Sequence, residues 1–467
     1  MNRKNIYFGI FFVLIVAGIF ILPPLIEIAL AMLFVMYASI SCYIAWLEKD
    51  RVHIAVMLIF PVFLSAVQNI YLGSAAPHLS RLELQFLLIM NIMIVFMSFI
   101  RISNRLLAKD VSWLWGCLIV ILMHTMVMYL IYPSTISALF SSVRNIVSPL
   151  IFWGFSRSMK KSADQNKFEC YLKWLSIFVV SIGFIEYLIG NEFWKDLNIE
   201  QLWTLKGIGV NAWGIPGNWH SSERLNGRHL RRMVSSFADP VNLGTFLFGI
   251  YMFAWYRKER VLQLAVIVCC VLTVSKGALL GFLIFFVIYS WYMDRTKISI
   301  PLILCLTVSA AYAFLIFSKV SSSGSVAVHL NGFFNSFLLL LRYPFGSGVG
   351  NVGVLASLFG GGNILDIDVT ETGIGKIIAE LGVVGISVYI YFFYRLYRIP
   401  HRWNKNERRK KVYYNSLLFS IIANIAFNEV ALSPNSCGIY FLILGQVSAL
   451  ERDMVTIRCK HPYISYF

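Results

Sequence analysis

Long apolar runs separated by short polar segments dominate the pattern of this chain. A membrane-spanning helix needs about 20 apolar residues, and runs of roughly that length recur along the whole sequence. The pattern predicts an all-α, polytopic integral membrane protein with about 14 transmembrane helices in one membrane domain, 1–467. The expected spans are 6–22, 25–46, 53–73, 84–100, 113–132, 137–156, 171–190, 238–256, 261–275, 277–293, 298–317, 373–394, 413–431 and 436–450.

The apolar stretch 261–293 is too long for one ordinary span. Lys276 and Gly277 interrupt it near its midpoint, which predicts two short helices with a break between them. The break also affects the topology. A single helix here would place the strongly basic segment 395–411 on the opposite side of the membrane from the other basic loops.

Lysine and arginine are distributed unevenly over the polar segments. With the N-terminus in the cytoplasm, most of the 40 lysines and arginines fall on the cytoplasmic side. The opposite orientation would place them outside, against the positive-inside rule. We therefore predict that both termini are cytoplasmic and that 6–22 is an uncleaved first span, because no small-residue cleavage site follows it.

Two polar loops on the predicted outer side, 191–237 and 318–372, are much longer than ordinary connections between helices. Loops of this length are usually functional or disordered. Their aromatic content favours folded caps on the membrane surface. The aromatic residues are Trp194, Trp203, Trp213 and Trp219 in the first loop and Phe333, Phe334, Phe337 and Phe345 in the second.

Composition agrees with a membrane protein. The chain is 58% hydrophobic and 13% charged, whereas soluble proteins carry about 25% charged residues. The net charge of +17 would suggest nucleic acid in a soluble protein, but here topology accounts for it and no nucleic-acid partner is expected. The 8 cysteines show neither a metal spacing nor a disulfide framework. No metal site is expected, and Asp366 and Asp368 are a weak candidate for one.

The first outer loop becomes basic towards its end. Arg224, Arg228, Arg231 and Arg232 lie close together, just before the apolar helix expected from about residue 238. Guanidinium groups bind phosphate through paired, charge-assisted hydrogen bonds, and a helix N-terminus adds a partial positive charge. The cluster therefore predicts a phosphate-binding site. The alternative is a solvated face or contacts with anionic lipid headgroups.

Two cations interrupt apolar segments. Arg144 lies inside the run 137–156, where an unpaired charge is costly, so it is either a phosphate ligand or the partner of an acid such as Glu186. Lys276 lies at the predicted helix break. It either binds a phosphate or extends to the membrane interface.

His329 and Glu371 are the candidates for proton transfer. His329 lies in the second outer loop before an apolar stretch, and Glu371 immediately precedes the helix 373–394. Each also has a structural interpretation, as an ordinary loop histidine and as a helix N-terminal acid. The glycines of 348–353 match a dinucleotide-binding fingerprint, but no strand precedes them, so we interpret them as a tight turn.

Four short motifs occur in order between residues 137 and 394. They are Arg232-x-x-Ser235-x-Phe237-x-x-Pro240, Thr273-x-Ser275-Lys276-Gly277-Ala278, Ser325-x-x-x-His329 with Tyr343-Pro344-Phe345-Gly346-x-Gly348-x-Gly350, and Glu371-Thr372-Gly373 with Glu380-Leu381-Gly382-Val383-Val384-Gly385. In this order they resemble the motifs of the O-antigen polymerase and ligase superfamily of bacterial inner-membrane enzymes. Family ligases tend to carry a histidine–asparagine pair where this chain has Thr370-Glu371-Thr372, which favours the polymerase side. Lys276 replaces a commoner arginine, which weakens the case for a bidentate phosphate contact there.

The resemblance implies a glycosyltransferase of the bacterial cytoplasmic (inner) membrane. Its donor would be a glycan on undecaprenyl pyrophosphate and its acceptor another lipid-linked repeat unit, giving an O-antigen, capsule or exopolysaccharide. We expect pyrophosphate to be bound by Arg232, Arg231 and Arg144, with Arg228 and Lys276 nearby, without a metal or other cofactor. His329 or Glu371 would orient or deprotonate the acceptor. Membrane lipids, a chain-length regulator and a flippase are the expected partners.

Three alternatives remain open at the level of sequence. The first is a ligase that transfers glycan to the lipid A-core. The second is a lipid-linked oligosaccharide flippase or other transporter, although transporters usually have short loops and internal repeats. The third, a receptor or scaffold, leaves the clustered arginines unexplained.

Overall fold

The computed structural model describes residues 54–81, 84, 112–157, 162–211, 214–225, 228–293, 325–353, 356, 372–404 and 406–460. The expected spans 6–22, 25–46 and 298–317 lie outside these residues, as does 84–100 apart from Leu84. Within the described part the chain is almost entirely helical. Its one regular sheet there has two strands.

Thirteen α-helices are present in the described part of the chain. In order they are α1 (Ile54–Ala75), α2 (Ser112–Ile131), α3 (Ile136–Arg157), α4 (Ser162–Ile189), α5 (Glu192–Lys195), α6 (Ile199–Leu205), α7 (Pro240–Arg257), α8 (Arg260–Thr273), α9 (Lys276–Tyr292), α10 (Ser325–Arg342), α11 (Gly373–Tyr397), α12 (Arg408–Phe427) and α13 (Pro434–Lys460). An antiparallel hairpin of β1 (His220–Leu225) and β2 (Arg228–Arg231) lies between α6 and α7.

Within the described residues, four segments are long and apolar enough to cross a membrane, which supports a multi-pass membrane protein. They are Ser112–Ile131, Ile136–Arg157, Gln165–Ile189 and Gly373–Arg402. Shorter apolar helices occur at Arg260–Thr273, Lys276–Tyr292 and Gly332–Arg342. The total of about fourteen spans stays a prediction.

The helices pack around α3, α7 and α13. Large apolar side chains such as Trp153, Phe246 and Phe248 are completely buried between them. The Tyr440 hydroxyl, also buried, donates a hydrogen bond to the Thr245 carbonyl oxygen at 2.7 Å, so the ring fills the core while its polar atom is satisfied. This packing holds the N-terminal ends of α7 and α13 side by side.

The predicted break in 261–293 is present. Helix α8 ends at Thr273, Val274 has a left-handed φ of 47°, and α9 begins at Lys276. The close approach of α12 favours a glycine just after the break, because a Cβ on residue 277 would come within 2.2 Å of Asn424 Oδ1 and displace that side chain. The break is therefore fixed by packing as well as by sequence.

Helix α11 is kinked, and the glycine-rich turn 343–353 packs against the kink. Gly382 has φ 58° and ψ −145°, a backbone conformation open to glycine and unfavourable for other residues. Val383 N–H donates to the Pro344 carbonyl oxygen at 2.8 Å, and Ser347 N–H donates to that of Ala379 at 2.7 Å. The contacts begin about 9 Å along α11 from its start. The turn therefore packs on the side of the helix and not over its end.

The first long loop forms a small folded cap on one end of the bundle. Trp194, Trp203 and Trp219 are buried in a core that α5 and α6 share with the C-terminal part of α1. The Trp219 indole N–H donates to the Ala238 carbonyl oxygen at 3.0 Å, which links this cap to the start of α7. Trp213 lies outside the described residues. The second long loop contains α10.

The opposite end of the bundle carries a basic rim. Arg157 donates to the Ser448 carbonyl oxygen at 3.3 Å, Arg409 donates to that of Trp255, and Lys173 pairs with Glu259 at 2.8 Å. The first-loop cap and this basic rim therefore occupy opposite ends of the same helices. Which end faces the cytoplasm stays a prediction from the positive-inside rule.

Candidate functional site

Arg231, at the end of β2, fastens the hairpin to the end of α4. Its guanidinium group donates to the Glu186 carboxylate, to Asn191 Oδ1 at 2.8 Å and to the Tyr187 carbonyl oxygen at 3.2 Å. The fully buried Glu186 also accepts hydrogen bonds from the Val234 and Ser235 amides, both at 3.2 Å. Glu186 is thus the partner of Arg231. The alternative pairing of Glu186 with Arg144 is not formed between these two described residues.

Arg232 attaches the same loop to the helix break. Its Nε donates to the Thr273 carbonyl oxygen at 2.8 Å, and its NH1 donates to the Asn218 carbonyl oxygen at 3.1 Å. The neighbouring Met233 amide donates to the Leu272 carbonyl oxygen at 2.9 Å. A cation at the C-terminal end of α8 compensates the carbonyl groups that have no partner within the helix. Arg232 and Lys276 therefore both lie at the break between α8 and α9.

Asp239 caps α7 beside this contact. Its carboxylate accepts from the Val241 and Asn242 amides at 3.3 and 3.1 Å and from Asn218 Nδ2 at 3.0 Å. The Asn242 side chain continues the network, because its Oδ1 accepts from Ser433 at 3.0 Å and from Ser436 at 2.6 Å. The network joins the arginine-rich loop to the turn between α12 and α13.

Arg144 lies about 12 Å along α3 from its start. Its Nε donates to Asn145 Oδ1 at 3.2 Å. No carboxylate of the described residues forms an ion pair with it. An amide oxygen orients a guanidinium group without cancelling its charge. Arg144 therefore keeps a full positive charge inside the bundle.

Lys206, directly after α6, is a second cation whose charged group donates to the side-chain oxygen of an asparagine. Its Nζ donates to Asn69 Oδ1 at 2.7 Å and lies 4.5 Å from the centre of the Trp203 ring. Burial, and to a smaller extent the positive charge of Arg144, lower the pKa of Lys206 from 10.5 to about 7. The two cations are thus close enough to repel one another.

The arrangement of Arg144 and Lys206 is suited to an anionic ligand. Both are half-buried, both are oriented by neutral amide oxygens, and neither forms an ion pair with a carboxylate among the described residues. Partial burial of a charge without an ion-pair partner costs free energy. An anionic ligand placed between them would remove that cost. Sequence reasoning named Arg144 as a candidate and did not name Lys206, because a lysine in a polar loop carries no signal of burial.

A buried cluster of Lys376, Glu380 and Glu429 lies next to Arg144. Lys376 Nζ lies 2.7 Å from Glu429 Oε1 and 3.7 Å from Glu380 Oε1. Glu380 Oε1 also accepts from Ser142 Oγ at 2.9 Å and from the Gly350 amide at 3.0 Å. The cluster therefore links α3, just before Arg144, to α11 and the glycine-rich turn. The spacing of Lys376 and Glu380 within an apolar helix was an available signal for this pair.

The remaining candidates are placed only in part. Lys276 is exposed at the start of α9. Arg228 lies in β2 and His329 in α10, but their side chains lie outside what the structure describes. Glu371 is outside the described residues and precedes Thr372, whose hydroxyl caps α11 by accepting from the Gly375 amide at 2.9 Å. Asp366 and Asp368 are also outside them.

Metal-binding clusters are not found in the part of the chain that the structure describes, where no group of three or more His, Cys, Asp or Glu side chains is suitably placed. Comparison of the chain with protein-family models, curated proteins and solved structures gives no match.

Proposed function

We propose that the protein polymerises oligosaccharide repeat units carried on undecaprenyl pyrophosphate, at the outer face of the bacterial cytoplasmic membrane. The donor glycan loses its bond to pyrophosphate, and its anomeric carbon forms a new bond to a hydroxyl oxygen of the acceptor unit. The leaving pyrophosphate takes the electron pair, and the acceptor hydroxyl loses its proton. The product is a surface polysaccharide of the O-antigen, capsule or exopolysaccharide type.

One observation carries this proposal: Arg144 and Lys206 are two neighbouring cations without a carboxylate partner among the described residues. A pyrophosphate leaving group gains negative charge as the glycosidic bond breaks. Cations fixed in advance in a low-dielectric site stabilise that charge more than cations in water. Their position between the membrane helices and the first-loop cap suits a ligand whose lipid tail lies in the bilayer and whose sugars lie outside it.

The arginines of the first loop have different parts in this proposal. Arg232 holds the loop on the helix break, so that it and Lys276 lie at the edge of the pyrophosphate site. The hydrogen bonds of Arg231 to Glu186 and Asn191 make its contribution one of positioning. Arg228, in β2, remains a further phosphate-binding candidate in this proposal. His329 or Glu371 orients or deprotonates the acceptor, and no cofactor takes part.

Complementation of a strain that lacks its polymerase tests the function. The wild-type chain should restore a ladder of surface glycan on a gel. Arg144→Ala should abolish the ladder, and Arg144→Lys should keep part of it, because the charge remains while the planar donor pair is lost. Arg398→Ala is the matched control, since Arg398 is an exposed arginine on the opposite, basic end.

Two further strains separate the alternatives, one that lacks its flippase and one that lacks its ligase. Because each keeps its own polymerase, surface glycan restored by the chain in the first strain would identify a flippase, and in the second a ligase. A wild-type chain that is well produced and restores no ladder would show that the proposed function is wrong.

A further inference from the structure

The proposed transfer requires a proton acceptor near the anion site, and this end of the bundle offers few. Outside the first-loop cap, the described carboxylates at this end are Glu186, Asp239, Glu380 and Glu429. Glu186 is occupied by Arg231 and two backbone amides. Asp239 is occupied as the cap of α7. Neither can take a proton without losing the contacts that hold the site together.

Glu380 and Glu429 share one cation. Lys376 is fully enclosed and lies within 3.7 Å of both carboxylates, at 2.7 Å from Glu429. The positive charge of Arg144 also acts on Lys376, so two cations face the two carboxylates of the cluster. Glu380 has a side chain with 0% exposure, whereas that of Glu429 has 7%. Glu429 is thus the less completely buried carboxylate of the cluster.

The residues around Glu429 also favour it as the proton acceptor. The glycine-rich turn ends directly against its carboxylate, where a Cβ on residue 353 would come within 2.7 Å of Oε2. The short turn that begins at Glu429 ends at Ser433, which donates to Asn242 Oδ1 at 3.0 Å beside the Asp239 cap. Cys437, one turn into α13, is within electrostatic range of Arg144. Glu429 therefore contacts the glycine-rich turn and, through its partner Lys376, lies near Arg144.

We propose that Glu429 accepts the proton of the acceptor hydroxyl, with Lys376 holding its carboxylate in place. This inference rests on the proposed polymerase function. In the step, the acceptor O–H bond breaks and the proton moves to a Glu429 carboxylate oxygen. The hydroxyl oxygen forms the new bond to the anomeric carbon, and the anomeric carbon–pyrophosphate bond breaks with its electron pair on the phosphate oxygen. The proton on Glu429 then leaves to water or to the departing pyrophosphate.

The test uses the full-length chain in lipid nanodiscs, with lipid-linked repeat units extracted from the complemented strain as substrate. Glu429→Gln should lower the transfer rate about 100-fold or more, the usual contribution of a positioned general base. Its affinity for undecaprenyl pyrophosphate should stay within about threefold of wild type, because Arg144 and Lys206 are unchanged. Glu429→Asp should recover part of the rate.

Glu407→Gln is the matched control, since Glu407 pairs with Lys410 at 3.4 Å on the opposite end of the bundle and should leave the rate unchanged. A Glu429→Gln rate within threefold of wild type overturns the proposal. So does a joint loss of rate and pyrophosphate binding that Glu429→Asp fails to relieve, because that result marks a purely structural residue. His329→Gln and Glu371→Gln are measured in parallel. A loss of rate of about 100-fold with pyrophosphate binding kept in either of them, but not in Glu429→Gln, assigns the proton acceptor there instead. Pyrophosphate binding by a wild-type chain that forms no polymer would count against the polymerase itself.

Discussion

The ammonium nitrogen of Lys206 lies 2.7 Å from the side-chain oxygen of Asn69, which is 137 positions earlier in the chain. This contact brings a lysine of the first-loop cap against a buried residue of α1. Asn69 in turn donates through its Nδ2 to the Phe237 carbonyl oxygen at 2.6 Å. One asparagine thus fixes the lysine and the segment before α7 together, and its neutral oxygen leaves the lysine charge uncompensated.

Binding of undecaprenyl pyrophosphate should weaken as the pH rises through about 7. Burial and the charge of Arg144 lower the pKa of Lys206 to about 7, so the free protein loses this positive charge above that pH. The bound anion favours the charged form, and binding therefore takes up a proton between pH 7 and the higher pKa of the complex. A charged hydrogen bond contributes about 1.5–3 kcal/mol, which predicts a loss of affinity of about 10- to 100-fold by pH 9. Affinities measured in nanodiscs from pH 6 to 9 check this.

Lys206→Arg should remove most of that pH dependence, because a guanidinium group stays charged throughout this range. Lys195→Arg, a change on an exposed lysine that pairs with Glu192 at 2.8 Å, should leave the wild-type curve unaltered. Parallel curves for wild type and Lys206→Arg would show that Lys206 does not bind the pyrophosphate.

Asn145→Asp should weaken pyrophosphate binding while the protein stays folded. The new carboxylate would lie beside the Arg144 Nε that now donates to Asn145 Oδ1 at 3.2 Å. It would pair with the guanidinium group and cancel the charge that the ligand needs. We expect a loss of affinity of about tenfold or more, corresponding to at least 1.4 kcal/mol. Asn145→Ala, which leaves the Arg144 charge intact, is the control. Equal affinities for the two variants would exclude a direct role of Arg144.

The sequence was informative about the helices and the positions of several motifs, and much less about contacts between them. Apolar periodicity predicted α3 almost residue by residue, and Lys276 with Gly277 marked the helix break, because these features depend on local chain properties. The partner of Glu186 was not predictable, since it depends on how the hairpin folds onto α4. Lys206 and Glu429 were missed for the same reason. Each owes its surroundings to residues more than 50 positions away.

The ion pair of Arg231 with Glu186 should contribute more to stability than to chemistry. Glu186 is completely buried, so Arg231→Met leaves its charge and two amide contacts without their cation. Removing one partner of a buried pair costs about 3–5 kcal/mol. We expect a lower thermal midpoint and faster proteolysis within the first loop. The double variant Arg231→Met with Glu186→Leu should be less destabilised than the sum of the two single variants, because it leaves no unpaired charge. Additive effects would contradict the pairing.

Gly382 should be the glycine least tolerant of substitution. Its φ of 58° and ψ of −145° place it in a region that other residues avoid, at a cost of about 1–3 kcal/mol. A Cβ there would also come within 2.1 Å of the Pro344 carbonyl oxygen, which accepts from the Val383 amide. Gly382→Ala should therefore displace the glycine-rich turn from α11 and with it the Gly350 amide from Glu380.

Gly116→Ala in α2 is the matched control, because a Cβ there meets no atom within 4 Å, and alanine is the better helix former by about 1 kcal/mol. We expect Gly382→Ala to be poorly folded in detergent and inactive, and Gly116→Ala to match or exceed wild-type stability. A Gly382→Ala protein with unchanged thermal stability would show that the kink is not required for the turn to pack on α11.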